Sequence, residues 1–167
     1  MSAAPCGNLL HHLDSGKSNE WTWFAGGYAN EKRFGEKVHT VLAAICLMMP
    51  GGFLSFDYGN LCAPKLISAL LELKRTSPVF RTGICSLTRL CCDDPKVAVI
   101  YWKGEGGFCT LVANLEGIEK TPSFTMDGAP YEMEGKIRLY DGQWQEAEKL
   151  VLLPYGIALI QGEEGNG

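Results

Sequence analysis

Apolar positions recur at two different periods along this chain, and the change comes near residue 84. Before it, short apolar runs alternate with stretches of helical spacing. After it, only short runs separated by turn residues remain. Val38, Val41, Leu42, Ile45 and Met49 lie three or four apart, which predicts a helix over 31–49. Asn30 is placed to cap its start, and Pro50 with Gly51 ends it. The clearest helical signal covers 64–77, where Leu66, Ile67, Leu70, Leu71 and Lys74 follow the same spacing. Pro64 suits its first turn and Pro78 stops it. Short strands are expected over 8–14 and 53–58, with a loop holding Trp21, Trp23, Phe24 and Tyr28 after the first of them. Strand, helix, strand, helix is the order of a parallel α/β structure.

The second half reads as all-β. Residues 97–102 (VAVIYW) and 108–115 (FCTLVANL) are strands joined by a glycine-rich turn at 104–107. Weaker strands are expected over 123–126, 136–140 and 149–153, and 156–161 (GIALIQ) closes the set. Strands at such short, turn-punctuated spacing indicate an antiparallel sandwich or barrel. Residues 163–167 are polar and glycine-rich and are expected to be a disordered tail. No repeat or flexible tether separates the halves, which predicts direct packing between them.

Composition narrows the function classes. With 46% hydrophobic and 20% charged residues in 167, the chain matches a soluble globular protein. A net charge of -4 with no basic patch argues against nucleic acid as a partner. The longest apolar run, 41–49, falls well short of the ~18 residues of a membrane span, so no membrane association is expected. Residues 1–8 lack the basic start and apolar run of a signal peptide. Seven cysteines, an odd number mostly inside apolar runs, read as reduced, buried thiols, which points to the cytoplasm. The adjacent Cys91 and Cys92 offer a redox pair, with a strand end carrying spare thiols as the plainer alternative.

Four segments resemble the end of an α-amylase-type glycoside hydrolase (family 13). MMPGGFLSFDYGN (48–60) looks like that family's eighth barrel strand, and LISALLELKRTSPVFRTG (66–83) is similar to its last barrel helix. VAVIYWKGEGGFCTLVANL (97–115), with Asn114 near its end, resembles the first hairpin of the family's C-terminal domain, and LPYGIALI (153–160) its last strand. The resemblance implies a fold of α/β followed by all-β. Residues 1–83 would be the last two βα units of a (β/α)8 barrel, and 84–162 an antiparallel β-sandwich. It also implies α-glucan as the ligand and no cofactor or metal.

In the family, the seventh strand ends in a His-Asp pair that binds sugar and stabilises the transition state. HHLDSGKS (11–18) matches it in two registers. One places Gly16 and Lys17 where His and Asp belong, so that Lys17 replaces the stabilising carboxylate. The other makes Asp14 the carboxylate, with Leu13 in place of His. Both break the pair. Lys17 would repel an oxocarbenium-like centre. Glycoside hydrolysis usually needs two opposed carboxylates, which the family carries on earlier strands, so no complete catalytic set is expected here. His12, Asp14, Trp21 and Trp23 remain as candidate sugar contacts, the tryptophans because a pyranose face presents C–H groups to an aromatic ring. Each also has a plainer reading: a satisfied histidine, a turn-forming Asp and core tryptophans. His11 and His12 point to opposite faces of a strand, which disfavours one shared metal ion with Cys6. Asp57 reads either as a group pointing into the barrel or as a buried, paired carboxylate. The acidic residues Glu116, Glu119, Asp127, Glu132 and Glu134 read as a solvated face. Two βα units cannot close a barrel. The chain is therefore expected to need the remaining barrel strands or to self-associate through an open edge.

Overall fold

The longest apolar runs of the sequence become the centre of a six-stranded antiparallel sheet. In the computed structural model, which describes residues 35–50 and 63–163 together with the backbone of Trp23–Gly26 and Phe53–Phe56, β5 (Val97–Gly104) pairs with β6 (Gly107–Asn114). β11 (Ile157–Gly162) pairs with the other edge of β6. β9 (Lys136–Tyr140) and β10 (Trp144–Ala147) extend the sheet on one side, and β3 (Ile84–Ser86) ends it on the other, in the order β10-β9-β11-β6-β5-β3. A three-stranded antiparallel sheet, β4 (Leu90–Cys92), β7 (Phe124–Met126) and β8 (Ala129–Tyr131), covers one face. The second half is thus a β-sandwich-like domain.

Both faces of the central strands are buried, which is why they read as continuous apolar runs rather than as alternating ones. Val97, Val99, Tyr101, Val112, Ala158 and Ile160 face the small sheet, packing on Leu90, Phe124 and Leu152. Their neighbours Ala98, Ile100, Trp102, Leu111, Ala113 and Leu159 face the other way, against helices. Each buried Leu or Ile contributes about 1.5–3 kcal/mol.

Those helices come from the first half. β1 (Trp23–Gly26) and β2 (Phe53–Phe56) form a parallel pair in the register Trp23 with Phe53. Between them lies α1 (Glu36–Met48), and after β2 come α2 (Pro64–Thr76) and a single further turn, α3 (Pro78–Thr82). The parallel α/β order is therefore present, and the helical layer packs directly on the antiparallel sheet in one shared core.

Several expectations are corrected. The loop expected to hold Trp23 and Phe24 is strand β1 at those positions, because its backbone pairs with β2. The strand expected over 8–14 lies outside the described residues. Gly35, not Asn30, is the N-cap of α1, at φ 82, a value glycine adopts without steric cost. Leu71 is not part of the buried stripe of α2 but is 50% exposed, since one residue further round the helix than Leu70 it leaves the face that Leu66, Ile67 and Leu70 bury. Pro78 starts a new helical turn, because a first-turn proline needs no N–H partner. Residues 149–153 are no strand; only an isolated bridge between Lys120 and Leu152 forms there. β3, β4, β8 and β10 were not anticipated. Glu119, Asp127, Glu132 and Glu134 are exposed, as expected of a solvated face, with Asp127 in a surface pair with Arg89; only Glu116 departs from it, half-buried beside Lys120.

The C-terminal carbonyls of α1, which lack helical partners, are taken up by the rest of the fold. The Met49 N–H donates to Ile45 and Cys46. The Lys74 Nζ donates to the carbonyls of Leu47 at 2.8 Å and Met49 at 3.2 Å. The Trp102 indole N–H donates to Met48 O at 2.8 Å. Burial holds the Lys74 ammonium below the ordinary lysine range. On the far side, Gly83 and Gly104 sit so close that a Cβ on Gly104 would lie 2.6 Å from Gly83 Cα, so the end of α3 closes on β5 without an intervening side chain.

Lys120 is almost fully buried, its side chain 7% exposed, and its ammonium bridges Asp94 at 2.5 Å and Glu116 at 2.7 Å. The Lys120 hydrogen bond, helped by the Lys96 backbone N–H, holds the Asp94 carboxyl below its usual range. A depressed carboxyl stabilises the fold above the unfolded value and loses that contribution as pH falls through the folded one. Asp94→Asn is expected to cost about 1 kcal/mol at pH 6 and to flatten the acid limb between pH 5 and 2. Urea midpoints measured across that range check it; parallel acid limbs in the two proteins would remove Asp94 from the account.

Candidate functional site

A helix that joins two parallel strands must run antiparallel to them. The N-ends of α1 and α2 therefore lie on the side where β1 and β2 terminate, the side on which parallel α/β folds bind ligands. A groove of about 340 Å³ opens there between the helical layer and two loops of the antiparallel sheet. The first turns of α1 supply Glu36, Lys37 and Thr40, and Ala63 precedes α2. The β9–β10 turn contributes Tyr140, Asp141 and Gly142, and Pro154 and Tyr155 arrive just before β11.

Backbone strain marks this groove. Three non-glycine residues among those described have positive φ, and two of them, Ala63 at 42° and Tyr155 at 53°, line it. Such residues persist only where the surroundings hold them, and they gather at binding sites. Tyr155 is held by its N–H, which donates to Glu116 O at 2.9 Å, and by its ring, which lies about 3.4 Å from where a Cβ on Gly117 would stand. Glu116 in turn donates its N–H to Asn114 Oδ1 at 3.0 Å. Tyr140 is braced from behind by the Trp144 ring, edge-on at 5.3 Å, and the Arg138 guanidinium lies 5.4 Å from that same indole.

The groove therefore offers two positioned phenol rings, hydrogen-bond acceptors on Glu36 and Asp141, and donors on Lys37 and Thr40. This set suits a polyhydroxyl ligand. Glu36 and Asp141 are both exposed.

The residues singled out in the sequence are not the ones found here. His12, Asp14, Lys17, Trp21 and Asp57 lie outside the described residues, as do Cys6 and His11. Trp23 opens β1, and only its backbone is described. Sequence reasoning missed Tyr140, Asp141 and Tyr155; the Asp141-Gly142 and Pro154-Tyr155-Gly156 turn signals were their only local trace. The redox-pair reading of Cys91 and Cys92 loses ground at Cys92, whose burial pushes its pKa up to about 12, far from a reactive thiolate. No group of three or more metal-ligating side chains is placed to hold an ion among the described residues, and none of their helices is long and apolar enough to cross a membrane.

Comparison with known proteins gives a fold likeness without a sequence relative. No family model matches the chain, and no curated protein does. A solved structure, the noncanonic maltogenic α-amylase AmyB from Thermotoga neapolitana, is similar with a TM-score of 0.61 at 12% identity. The match covers 96% of this chain and 44% of that one. The chain thus spans less than half the length of the protein it resembles, and at this identity the likeness is one of fold.

Proposed function

We propose that this chain corresponds to the C-terminal portion of an α-amylase-like glycoside hydrolase, or to a degenerate member of that group, related to α-glucans but not cleaving them by itself. In this reading, β1-α1-β2-α2 are the last two βα units of a (β/α)8 barrel, and the antiparallel half is the sandwich that follows it. The observation that carries it is the order of elements, a parallel strand pair with its helices docked on an antiparallel sandwich, matched across 96% of the chain to an amylase structure. His12, Asp14, Trp21 and Trp23 are assigned to sugar contact, and Lys17 stands where a stabilising carboxylate would be needed.

The exposure of Glu36 and Asp141 favours a second reading, a non-catalytic carbohydrate-binding module. Calorimetric titration with maltoheptaose separates the two. Saturable binding that Tyr155→Ala weakens about fivefold, roughly 1 kcal/mol, supports the module. Binding that Tyr155→Ala leaves unchanged and Trp21→Ala/Trp23→Ala abolishes supports the first reading, and a flat titration counts against both. Release of reducing sugar from starch by this chain alone, abolished in Asp14→Asn, would overturn both.

A further inference from the structure

The face of the six-stranded sheet that points away from the helices carries a second concavity, of about 440 Å³. Its inner wall is aromatic. Tyr101 is buried, while Phe108 and Tyr131 are half-buried and keep part of their rings open. The Tyr101 and Phe108 rings stand 6.0 Å apart. Phe108 lies against bare backbone: a Cβ on Gly162, its partner in the register of β6 with β11, would run into the ring. Thr110 shares this face, opposite Tyr101 in register and two residues along β6 from Phe108. It is fully buried, and its hydroxyl has no hydrogen-bond partner. Buried polar groups are ordinarily matched, so this hydroxyl has bonding capacity that the fold does not use.

The rim is acidic. Glu132, Glu134 and Glu163 line the concavity, are exposed, and take part in no ion pair among the described residues. Against them stands one ammonium, that of Lys103, which already has an interaction of its own. The three carboxylates do not converge on one point as the ligands of a metal ion would. Carboxylates and aromatic faces share one preference: both attract positive charge, the rings through the negative potential over their faces.

We infer that this concavity binds a linear polyamine, an alkyl chain carrying two or three separated ammonium groups. The site stands apart from the groove at the helix N-ends and does not depend on the carbohydrate reading. Separated ammonium groups donate to separated carboxylates in charge-assisted hydrogen bonds. The methylenes between them cover Phe108 and Tyr131 as a lysine stem covers apolar surface. The Thr110 hydroxyl gives the ammonium nearest the Tyr101–Phe108 wall a neutral acceptor. Other ligands use less of the surface. A neutral polyol leaves three negative charges uncompensated, and an anion is repelled by them. A single small ammonium reaches only one of the carboxylates. The volume, within the ~300–1,000 Å³ of small-molecule sites, suits a whole small ligand rather than the flat contact of a protein partner.

Calorimetric titration of the full chain with spermidine at low ionic strength tests this, with the amide shifts of Gly106 and Gly107 to place the ligand. Melting curves confirm that each variant folds. One spermidine should bind per chain and move both glycine amides. Tyr131→Ala should weaken binding about fivefold, and the exposed double variant Glu132→Gln/Glu134→Gln about tenfold or more. Lys103→Gln removes the opposing charge and should tighten binding severalfold. Thr110→Val keeps the side-chain shape and should weaken binding a few-fold without lowering the melting temperature. Loss of binding in the glutamate variant with full binding in Tyr131→Ala would reduce the effect to charge attraction and overturn the site. So would a parent chain that shows no saturable binding, or one that binds a lysine-rich peptide but not spermidine.

Discussion

Replacing Trp102 with Ala is expected to lower the unfolding free energy by about 3–5 kcal/mol, one of the largest losses any single substitution in this chain would produce. Trp102 sits where the two halves meet. Its ring is 7% exposed and packs edge-on against Phe80 at 5.2 Å, with the Lys74 ammonium 6.0 Å from its centroid. Its N–H reaches 54 residues back along the chain to the last turn of α1. The variant therefore removes a large apolar volume, frees a buried carbonyl and loosens the site that Lys74 shares. For a chain of this size the melting temperature should fall by about 10 °C or more. Trp102→Phe keeps most of the volume but not the donor, and about 1–2 kcal/mol should be lost. Thermal and urea unfolding of the three proteins measure both steps. If Trp102→Ala melts within a degree or two of the parent, the helical layer and the sheet do not share one core.

That shared core also explains what was legible in the sequence. β5, β6 and β11 were readable because burial on both faces demands unbroken apolar runs, and α2 because Leu66, Ile67 and Leu70 repeat on one side. β3, β4 and β8 are three residues each and sit among turn-forming or polar neighbours, so no apolar run marks them. β10 reads Trp-Gln-Glu-Ala, an edge strand whose two middle residues face water. Leu152 looked like part of a strand because it is buried, but its backbone makes only a bridge to Lys120. The groove was harder still. Its residues come from four stretches between 36 and 157, brought together by packing rather than by any motif. The positive φ of Tyr155, its most informative feature, leaves a trace only in the Gly156 that follows.

The second large effect is expected at Asn114, which does not line the groove yet sets the position of Tyr155. Asn114 is fully buried, and its Nδ2 donates to Ile118 O at 2.7 Å and Leu153 O at 2.9 Å while Oδ1 accepts from Glu116. One amide thus ties the turn after β6 to the turn before β11. Asn114→Ala leaves two carbonyls and an N–H without partners and should cost about 2–4 kcal/mol. Asn114→Asp is the sharper test. The carboxylate still accepts from Glu116 but faces two carbonyl oxygens, so its pKa in the folded state is raised. The penalty then grows as pH rises through the unfolded value near 4 toward the folded one. Relative to the parent, Asn114→Asp should be least impaired near pH 4 and most impaired at pH 7, when urea midpoints are compared. The Tyr155 N–H donates to Glu116 O, so the same variant should also weaken any ligand held at the helix N-ends. A constant deficit from pH 4 to 7 would mean that the two carbonyls do not face the side chain at residue 114, and that Tyr155 is positioned by something else.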